Sequence, residues 1–181
     1  MKVIAISGHA MHGKDTAAGM IRDRLAADGK RVLVTHYADL LKYICRTFFN
    51  WNGEKDEYGR HLLQYVGTDI IRKTDPGFWV RFIGSILTFF GSHWDYILIP
   101  DTRFPNEIDE LKNRGFDVVH LRVVRPFFDN RLSEAQRKHP SETALDQTIA
   151  DCYIMNSGDL ELLRETADNF VKEELYGIKT E

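Results

Sequence analysis

The chain has 181 residues, 43% of them hydrophobic and 28% charged, the size and composition of one folded domain with a sizeable core. Its formal net charge of −3 excludes a general binder of nucleic-acid polymers, which carries a basic excess, and no apolar run reaches the length of a membrane span. Cys45 and Cys152 form no C-x-x-C, so neither a redox pair nor a zinc site is signalled, and two unpaired thiols fit a reducing cytoplasm. From the amino terminus, MKVIAIS runs into a glycine loop, so residues 3–7 read as a strand and not as a signal peptide. Thr16–Ala27 carries Ala17, Ala18, Ile21 and Leu25 on one side, a helical stripe. RVLVTHY (31–37) is a second strand, followed by a helix expected from Leu40. Trp79, Phe82, Ile83, Ile86, Leu87 and Phe90 keep helical spacing and mark a buried face. YILIP (96–100), DVVHLRVV (117–124) and CYIM (152–155) read as three more strands. After Gly158-Asp159, a helix-start signal, Leu160, Leu163, Ala167, Phe170, Val171 and Leu175 form a last helical stripe.

Continuous apolar strands separated by helices predict a parallel sheet covered on both faces. No repeat, low-complexity tract or linker interrupts residues 1–181, so the expectation is a single three-layer α/β domain with five parallel strands. Residues 125–143, polar and weakly periodic, are expected to be a lid or a surface loop.

GHAMHGKDT, residues 8–16, nearly matches a phosphate-binding loop. Gly8, Gly13 and Lys14 fit the G-x-x-x-x-G-K pattern, but Asp15 stands where the hydroxyl residue belongs and Thr16 follows one place late. A strand before the loop and a helix after it supply the required context. Glycines let the backbone curl so that N–H groups from Gly8, His9, Ala10, Met11, His12 and Gly13 onward face an anion, and the helix start adds partial positive charge. Lys14 is expected to reach the β- and γ-phosphates. Asp15, within the ATP-binding loop, is read as a first-turn acid favoured by the helix dipole, with contact to the magnesium shell, directly or through water, as the lesser alternative, and Thr16 as the hydroxyl nearest a metal. His9 and His12 are read as side chains tolerated within the loop, since a loop wrapped round phosphate does not present both to one ion.

Along residues 57–72, Arg60, Gln64 and Thr68 fall on one side of a helix, with Arg72 drifting from the stripe, while Leu62, Leu63, Val66 and Ile70 lie opposite. Such a face is either solvated or suited to a phosphorylated small molecule, arginine offering forked donors and glutamine pairing with a base edge. Gly67 is a possible break. Asp39 and Lys42 follow the second strand; Asp39 is read either as a cap of the next helix or as a partner of a sugar hydroxyl. Trp79 is read as core, with stacking on an acceptor base as the lesser alternative, and Arg81 lies on the opposite face of its helix. Asp101, just past a buried strand, sits where an acid holds magnesium through water, and Arg103 lies close enough to steady a transferring phosphoryl group. Glu107 is read as a first-turn acid. Arg122, Arg125, Arg131 and Arg137 surround the lid-like segment, and Arg125 is chosen as its catalytic arginine because it directly follows a strand. His139-Pro140-Ser141-Glu142 carries no assigned chemistry.

GKDT, YADLLK (37–42), GRHLLQYVGTDIIR (59–72), DPGFWVR (75–81), PDTRFPNEID (100–109) and HPSETALD (139–146) together resemble the deoxynucleoside monophosphate kinases of the phage type, in order and over nearly the whole chain. The chain is also similar to the animal-type phosphomevalonate kinases, which share the GKD loop and the D-P-G-F, D-T-R and S-E…L-D segments. The resemblance implies a P-loop NTPase fold like that of nucleoside monophosphate kinases, with an acceptor-binding helical region about 38–92. It implies ATP with Mg²⁺ as phosphoryl donor and a (deoxy)nucleoside monophosphate as acceptor. Arg60, Gln64, Thr68 and Arg72, with Asp39, Lys42 and Trp79, would bind the acceptor, and Thr16 with water-linked Asp101 would hold the metal. Adenylate kinases also place threonine second after the lysine, which supports Thr16. Asn156-Ser157-Gly158 sits where related kinases meet the adenine ring. His12 departs from the small residue expected before Gly13. A phosphomevalonate-type kinase and a nucleotide-dependent switch without an acceptor are the competing readings; neither a nucleic-acid polymer nor a membrane is expected as a partner, and both monomer and homodimer fit the sequence.

Overall fold

The computed structural model describes residues 1–130 and 132–178; Arg131 lies outside them. Five strands, β1 (Lys2–Ser7), β2 (Val32–Val34), β3 (Tyr96–Ile99), β4 (Asp117–Val124) and β5 (Cys152–Met155), form one sheet in the order β2-β3-β1-β4-β5. All pairings are parallel, with Lys2 in register with Tyr96 on one side and Asp117 on the other. Alternation along β1 divides the core. Ile4 and Ile6 pack with α1 (Lys14–Ala27) and α8 (Leu160–Phe170), whereas Val3 and Ala5 pack with α4 (Phe78–Phe90) and α5 (Pro105–Asn113). Both faces are covered, so the strands need no polar side. A third cluster joins Cys45 and Trp51 to Leu62 and Val66, seating α3 (Glu57–Gln64) on α2 (Ala38–Phe48).

Several boundaries differ from the sequence reading. The second strand covers Val32–Val34 and not residues 31–37, and α2 begins at Ala38 instead of Leu40. Thr35 N–H still donates to Leu98 O at 3.0 Å, but the amides of Tyr37 and Ala38 are taken by the Asp101 carboxylate, which turns the chain into the helix at once. The buried face of α4 is Trp79, Val80, Ile83, Gly84 and Leu87, so Phe82 and Phe90, expected inside, are exposed. Trp79, Val80, Ile83 and Leu87 pack with Ile108 and Leu111 of α5, and Gly84 leaves room there for Arg114, whose Cδ lies 3.1 Å from where a Cβ would stand. Leu160 is also exposed. It opens α8 directly after Asp159, whose carboxylate accepts from Glu161 N and Leu162 N. Within 125–143 two short helices form, α6 (Glu134–Lys138) and α7 (Pro140–Thr143). Among the described residues no helix is long and apolar enough to cross a membrane.

Candidate active site

The site lies at the carboxyl ends of β1 and β3, beside the central strand where the chain's order reverses, which is where open α/β sheets place their ligands. Gly8 and Gly13 have φ of 138° and 91°, a region closed to most side chains. A Cβ on Gly8 would also stand 2.3 Å from the Val123 carbonyl oxygen, so glycine lets the loop lie against β4. Asn156 Nδ2 donates to His12 O at 2.9 Å and ties the loop to the end of β5.

Lys14 is the first residue of α1 and is buried. Its ammonium donates to Gly8 O at 2.8 Å and His9 O at 2.9 Å. Burial, then the Arg103 charge, pulls its pKa down to about 8. Asp15 is a first-turn acid, as expected, with its carboxylate 3.0 Å from His36 Nε2. That hydrogen bond draws the Asp15 pKa down and the His36 pKa up. Thr16 is exposed, and its hydroxyl has no hydrogen-bond partner among the described residues. His12 Nδ1 accepts from Arg125 N at 3.1 Å and His9 Nε2 lies 3.4 Å from Asp146, so the two histidines support the loop separately. No group of three metal-ligating His, Cys, Asp or Glu side chains occurs among the described residues.

Asp101 accepts from Tyr37 N at 3.0 Å and Ala38 N at 2.9 Å. It therefore caps α2, the role considered for Asp39, and burial raises its pKa. Asp39 lies inside the first turn and accepts from His36 N at 3.2 Å and Lys42 Nζ at 3.0 Å. It does not line the neighbouring cavity, whereas Lys42 does.

That cavity, about 440 Å³, runs from Lys14 and Asp101 to Arg60, Gln64, Thr68 and Arg72. Helix α3 is not broken at Gly67 but continues as a π-helix over Tyr65–Arg72. Hydrogen bonding from i to i+5 widens the turn, so residues four apart stay on one side. Arg72, expected to drift, thus remains on the stripe. Leu41 occupies the space a side chain at Gly67 would need, its Cδ2 lying 2.6 Å from the Cβ position. Leu62 and Val66 are buried as expected, but Leu63, still on α-helical turns, lines the cavity beside Gln64, and Ile70 is exposed because the wider winding of Tyr65–Arg72 turns it off the buried side. Trp79 is core, 3% exposed, with Nε1 donating to Gly67 O at 3.0 Å; it forms part of the cavity wall.

Charged partners across this cavity were not evident in the sequence. Arg72 donates to Glu107 Oε1 at 2.5 Å and lies over the Phe104 ring, 3.8 Å from its centroid. Glu107, 1% exposed, also accepts from Arg103 N at 2.7 Å and Phe104 N at 3.1 Å. It is the first-turn acid expected, with a larger task. Burial pushes its pKa up against the pull of Arg72. Only its position as the third residue of the helix, from which its carboxylate reaches back to the Phe104 amide, hinted at this larger task; phenylalanine offers no reciprocal cap. Arg60 donates from Nε to Lys55 O at 3.1 Å. Arg81 is exposed and pairs with Asp75. Arg103 borders the cavity and is held by Ser141 and Glu142.

Arg125, placed at the phosphoryl group by the sequence reading, lines neither this cavity nor the smaller one behind the loop. Its guanidinium lies over Phe128, 4.0 Å from the centroid, and 2.8 Å from where a Cβ on Gly158 would stand. Arg122 donates to Leu145 O and Thr148 O, bracing the turn that follows the lid-like segment, and Arg137 donates to Leu132 O within that segment. Leu132, Gln136 and Ser141 from that segment border the cavity.

A family model described as deoxynucleotide monophosphate kinase matches residues 31–167. The deoxynucleotide monophosphate kinase of Enterobacteria phage T4 is 35% identical over 124 residues, covering 67% of this chain and 48% of that protein. That of Escherichia phage RB69 is 31% identical over 115 residues, 62% of this chain and 44% of that protein. The chain thus spans about half the length of these two relatives. Among solved structures, Mycobacterium tuberculosis APS kinase in complex with AMPPNP and APS superposes with a TM-score of 0.54 at 13% identity, covering 94% of this chain and 95% of that one. This likeness concerns the fold, which is that of the P-loop kinases. With the match extending over most of its length, the chain belongs to the deoxynucleotide monophosphate kinase family.

Proposed function

We propose that this chain, acting as one kinase unit, transfers the γ-phosphoryl group of ATP to a deoxynucleoside monophosphate, giving ADP and the diphosphate. One observation carries the reading. A single cavity joins the glycine-lysine loop and Asp101 to a wall bearing Arg60, Gln64, Thr68 and Arg72. Donor and acceptor sites that share one space allow in-line transfer, where positioning and positive charge do most of the catalysis. Lys14 would leave the loop carbonyls for the β- and γ-phosphates, and the loop amides would hold the remaining oxygens. Arg60 and Arg72 would bind the acceptor phosphate, and Gln64 the base edge, with Leu41, Leu63 and Trp79 as the apolar wall. Arg103 would meet the phosphoryl group in transit. Arg125, beside Asn156–Gly158, is reassigned to the base of ATP. Residues 125–143 would exclude water as a lid. An acceptor phosphate ionised near neutral pH needs no general base.

Oxygen donors near the loop suit Mg²⁺, a hard cation that keeps several waters. The Thr16 hydroxyl is without a partner among the described residues, and each Asp101 oxygen accepts one amide, leaving lone pairs for water. Thr16, and Asp101 through water, would hold the ion, which supplies neutralising charge at the phosphates.

A coupled assay of ADP release over the deoxy- and ribonucleoside monophosphates, with phosphomevalonate alongside, tests the reading. Turnover with a deoxynucleoside monophosphate is expected. Turnover with phosphomevalonate alone, or ATP hydrolysis without transfer, would contradict it. Arg60→Ala should raise the acceptor KM by about tenfold to a hundredfold, the loss of one charge-assisted bond, and leave ATP affinity unchanged; a matching loss of ATP affinity would refute the assignment.

Lys14 should make binding pH-dependent. Its pKa is about 8 in the free protein, and bound polyphosphate favours the charged form. Binding then takes up a proton above that pH. ATP affinity is expected to be highest below it and to fall by up to about tenfold per pH unit above it. Calorimetry in buffers of different ionisation enthalpy measures both effects, and an affinity flat across this range would count against Lys14.

A further inference from the structure

His139, Pro140, Ser141 and Glu142 take no direct part in the transfer proposed above, yet their turn is closely built. Pro140 is the first residue of α7, a position where its missing N–H leaves no helical bond unmade. His139 caps the same turn, its Nδ1 accepting from Ser141 N at 3.2 Å and lying 2.8 Å from Ser141 Oγ. Two acceptors are thereby aimed at one guanidinium nitrogen. Arg103 Nη1 donates to Ser141 O at 2.7 Å and to Glu142 Oε1. The second carboxylate oxygen, Oε2, accepts from Ala10 N at 2.9 Å. One carboxylate, 7% exposed, therefore bridges Arg103 to the backbone of the glycine-lysine loop. Burial pushes the Glu142 pKa up, but the charge and hydrogen bond of Arg103 prevail and hold it below its usual value.

The main chain of Arg103 is fixed as well, its N–H donating to Glu107 Oε2 at 2.7 Å. The side chain is thus held at its root and along one terminal nitrogen. Its Nε and Nη2 have no hydrogen-bond partner among the described residues, and Arg103 borders both the large cavity and the smaller one behind the loop. A guanidinium fixed on one side and open on the other is a forked anion receptor already oriented. A carboxylate beside an anion-binding loop also repels the anion. Glu142 is well placed there only if the arginine gains more from orientation than the site loses in charge.

We infer that Glu142 is a positioning residue: it holds Arg103 so that the free Nε–Nη2 edge faces the phosphoryl group passing from the loop into the cavity, and it locks the Ala10 end of the loop to the same arginine. What that free edge meets rests on the kinase reading; the holding of Arg103 does not. Two measurements keep the two apart. In NMR of the arginine Nε–H groups, Arg103 is ordered in the wild-type chain and becomes mobile in Glu142→Gln. Equal order in both overturns the inference, whatever the substrate. In kinetics, Glu142→Gln lowers kcat by about tenfold to a hundredfold while the KM for ATP changes by less than about threefold. Combined with Arg103→Ala it costs kcat far less than in the wild-type background, since its effect on transfer runs through that arginine and only its bond to Ala10 N remains to be lost. A full additional loss in the Arg103→Ala background also overturns the inference. If the wild-type chain phosphorylates no deoxynucleoside monophosphate, the kinase reading fails and the NMR result alone decides. Glu142→Asp serves if the glutamine variant does not fold. It keeps the charge but withdraws the carboxylate by one methylene, and the same loss of Arg103 order is expected.

Discussion

Lys14→Met is expected to abolish transfer and to raise the unfolding temperature together. The activity loss should reach about 10³-fold in kcat, the range for removing a preorganised charge from a phosphoryl-transfer site. The stability gain follows from the same burial. A lysine whose pKa stands at about 8 instead of 10.5 holds its charge in the folded state at a cost of up to about 3 kcal/mol. Below pH 8 both folded and unfolded chains carry that charge, and the folded state bears the full penalty. As pH rises from about 8 to 10.5 the folded form sheds its proton first and the penalty disappears. Methionine removes the charge at neutral pH, so the midpoint should rise by about 3–9 °C for a chain of this size. Near-normal turnover would contradict the mechanism. A fall in midpoint would show Lys14 to be a structural prop, held by Gly8 O and His9 O for the sake of the loop.

Glu107→Ala is expected to be the most damaging single change to stability among the site residues. The variant leaves Arg72, whose side chain is 11% exposed, without its carboxylate. It also strips the amides of Arg103 and Phe104 of their acceptor. Breaking a buried pair by removing one partner costs about 3–5 kcal/mol, which for a chain of this length lowers the midpoint by about 10 °C. Thermal unfolding measures this directly. A loss below about 1 kcal/mol, the worth of an exposed pair, would show that water reaches Arg72 freely. In protein that still folds, the acceptor KM should rise, because Arg72 is no longer aimed along the wall it shares with Arg60.

Much of this site was legible because its features are local. Gly8, Gly13 and Lys14 announce an anion loop through the backbone conformations they permit, and apolar strands such as YILIP announce a sheet buried on both sides. Arg60, Gln64 and Thr68 declared a common face by spacing alone, and the structure gathers all three in one cavity. Pairings between distant segments were not legible. Glu107 looks like any first-turn acid, and only the fold brings Arg72 to it from 35 residues away. Arg125 follows its strand as expected, but Phe128, three residues on, draws its guanidinium away from the cavities. Helical spacing could not reveal the π-turn that keeps Arg72 on the stripe, since it assumes the tighter winding. Phe82 and Phe90 were misplaced for a related reason: apolar spacing defines a stripe, but the contacts of Trp79, Val80, Ile83 and Leu87 with the sheet and α5, which the spacing does not reveal, settle which edge of it packs.

A crystal structure with Mg²⁺ and a bisubstrate analogue, adenosine joined to a deoxynucleoside through a polyphosphate bridge, tests the central claim most directly. The phosphate chain should lie in the Gly8–Thr16 loop with Lys14 Nζ moved from the Gly8 and His9 carbonyls onto it. The deoxynucleoside should occupy the cavity lined by Arg60, Gln64, Thr68 and Arg72. A bridge bound elsewhere on the sheet edge, or a deoxynucleoside left outside that cavity, would contradict the account.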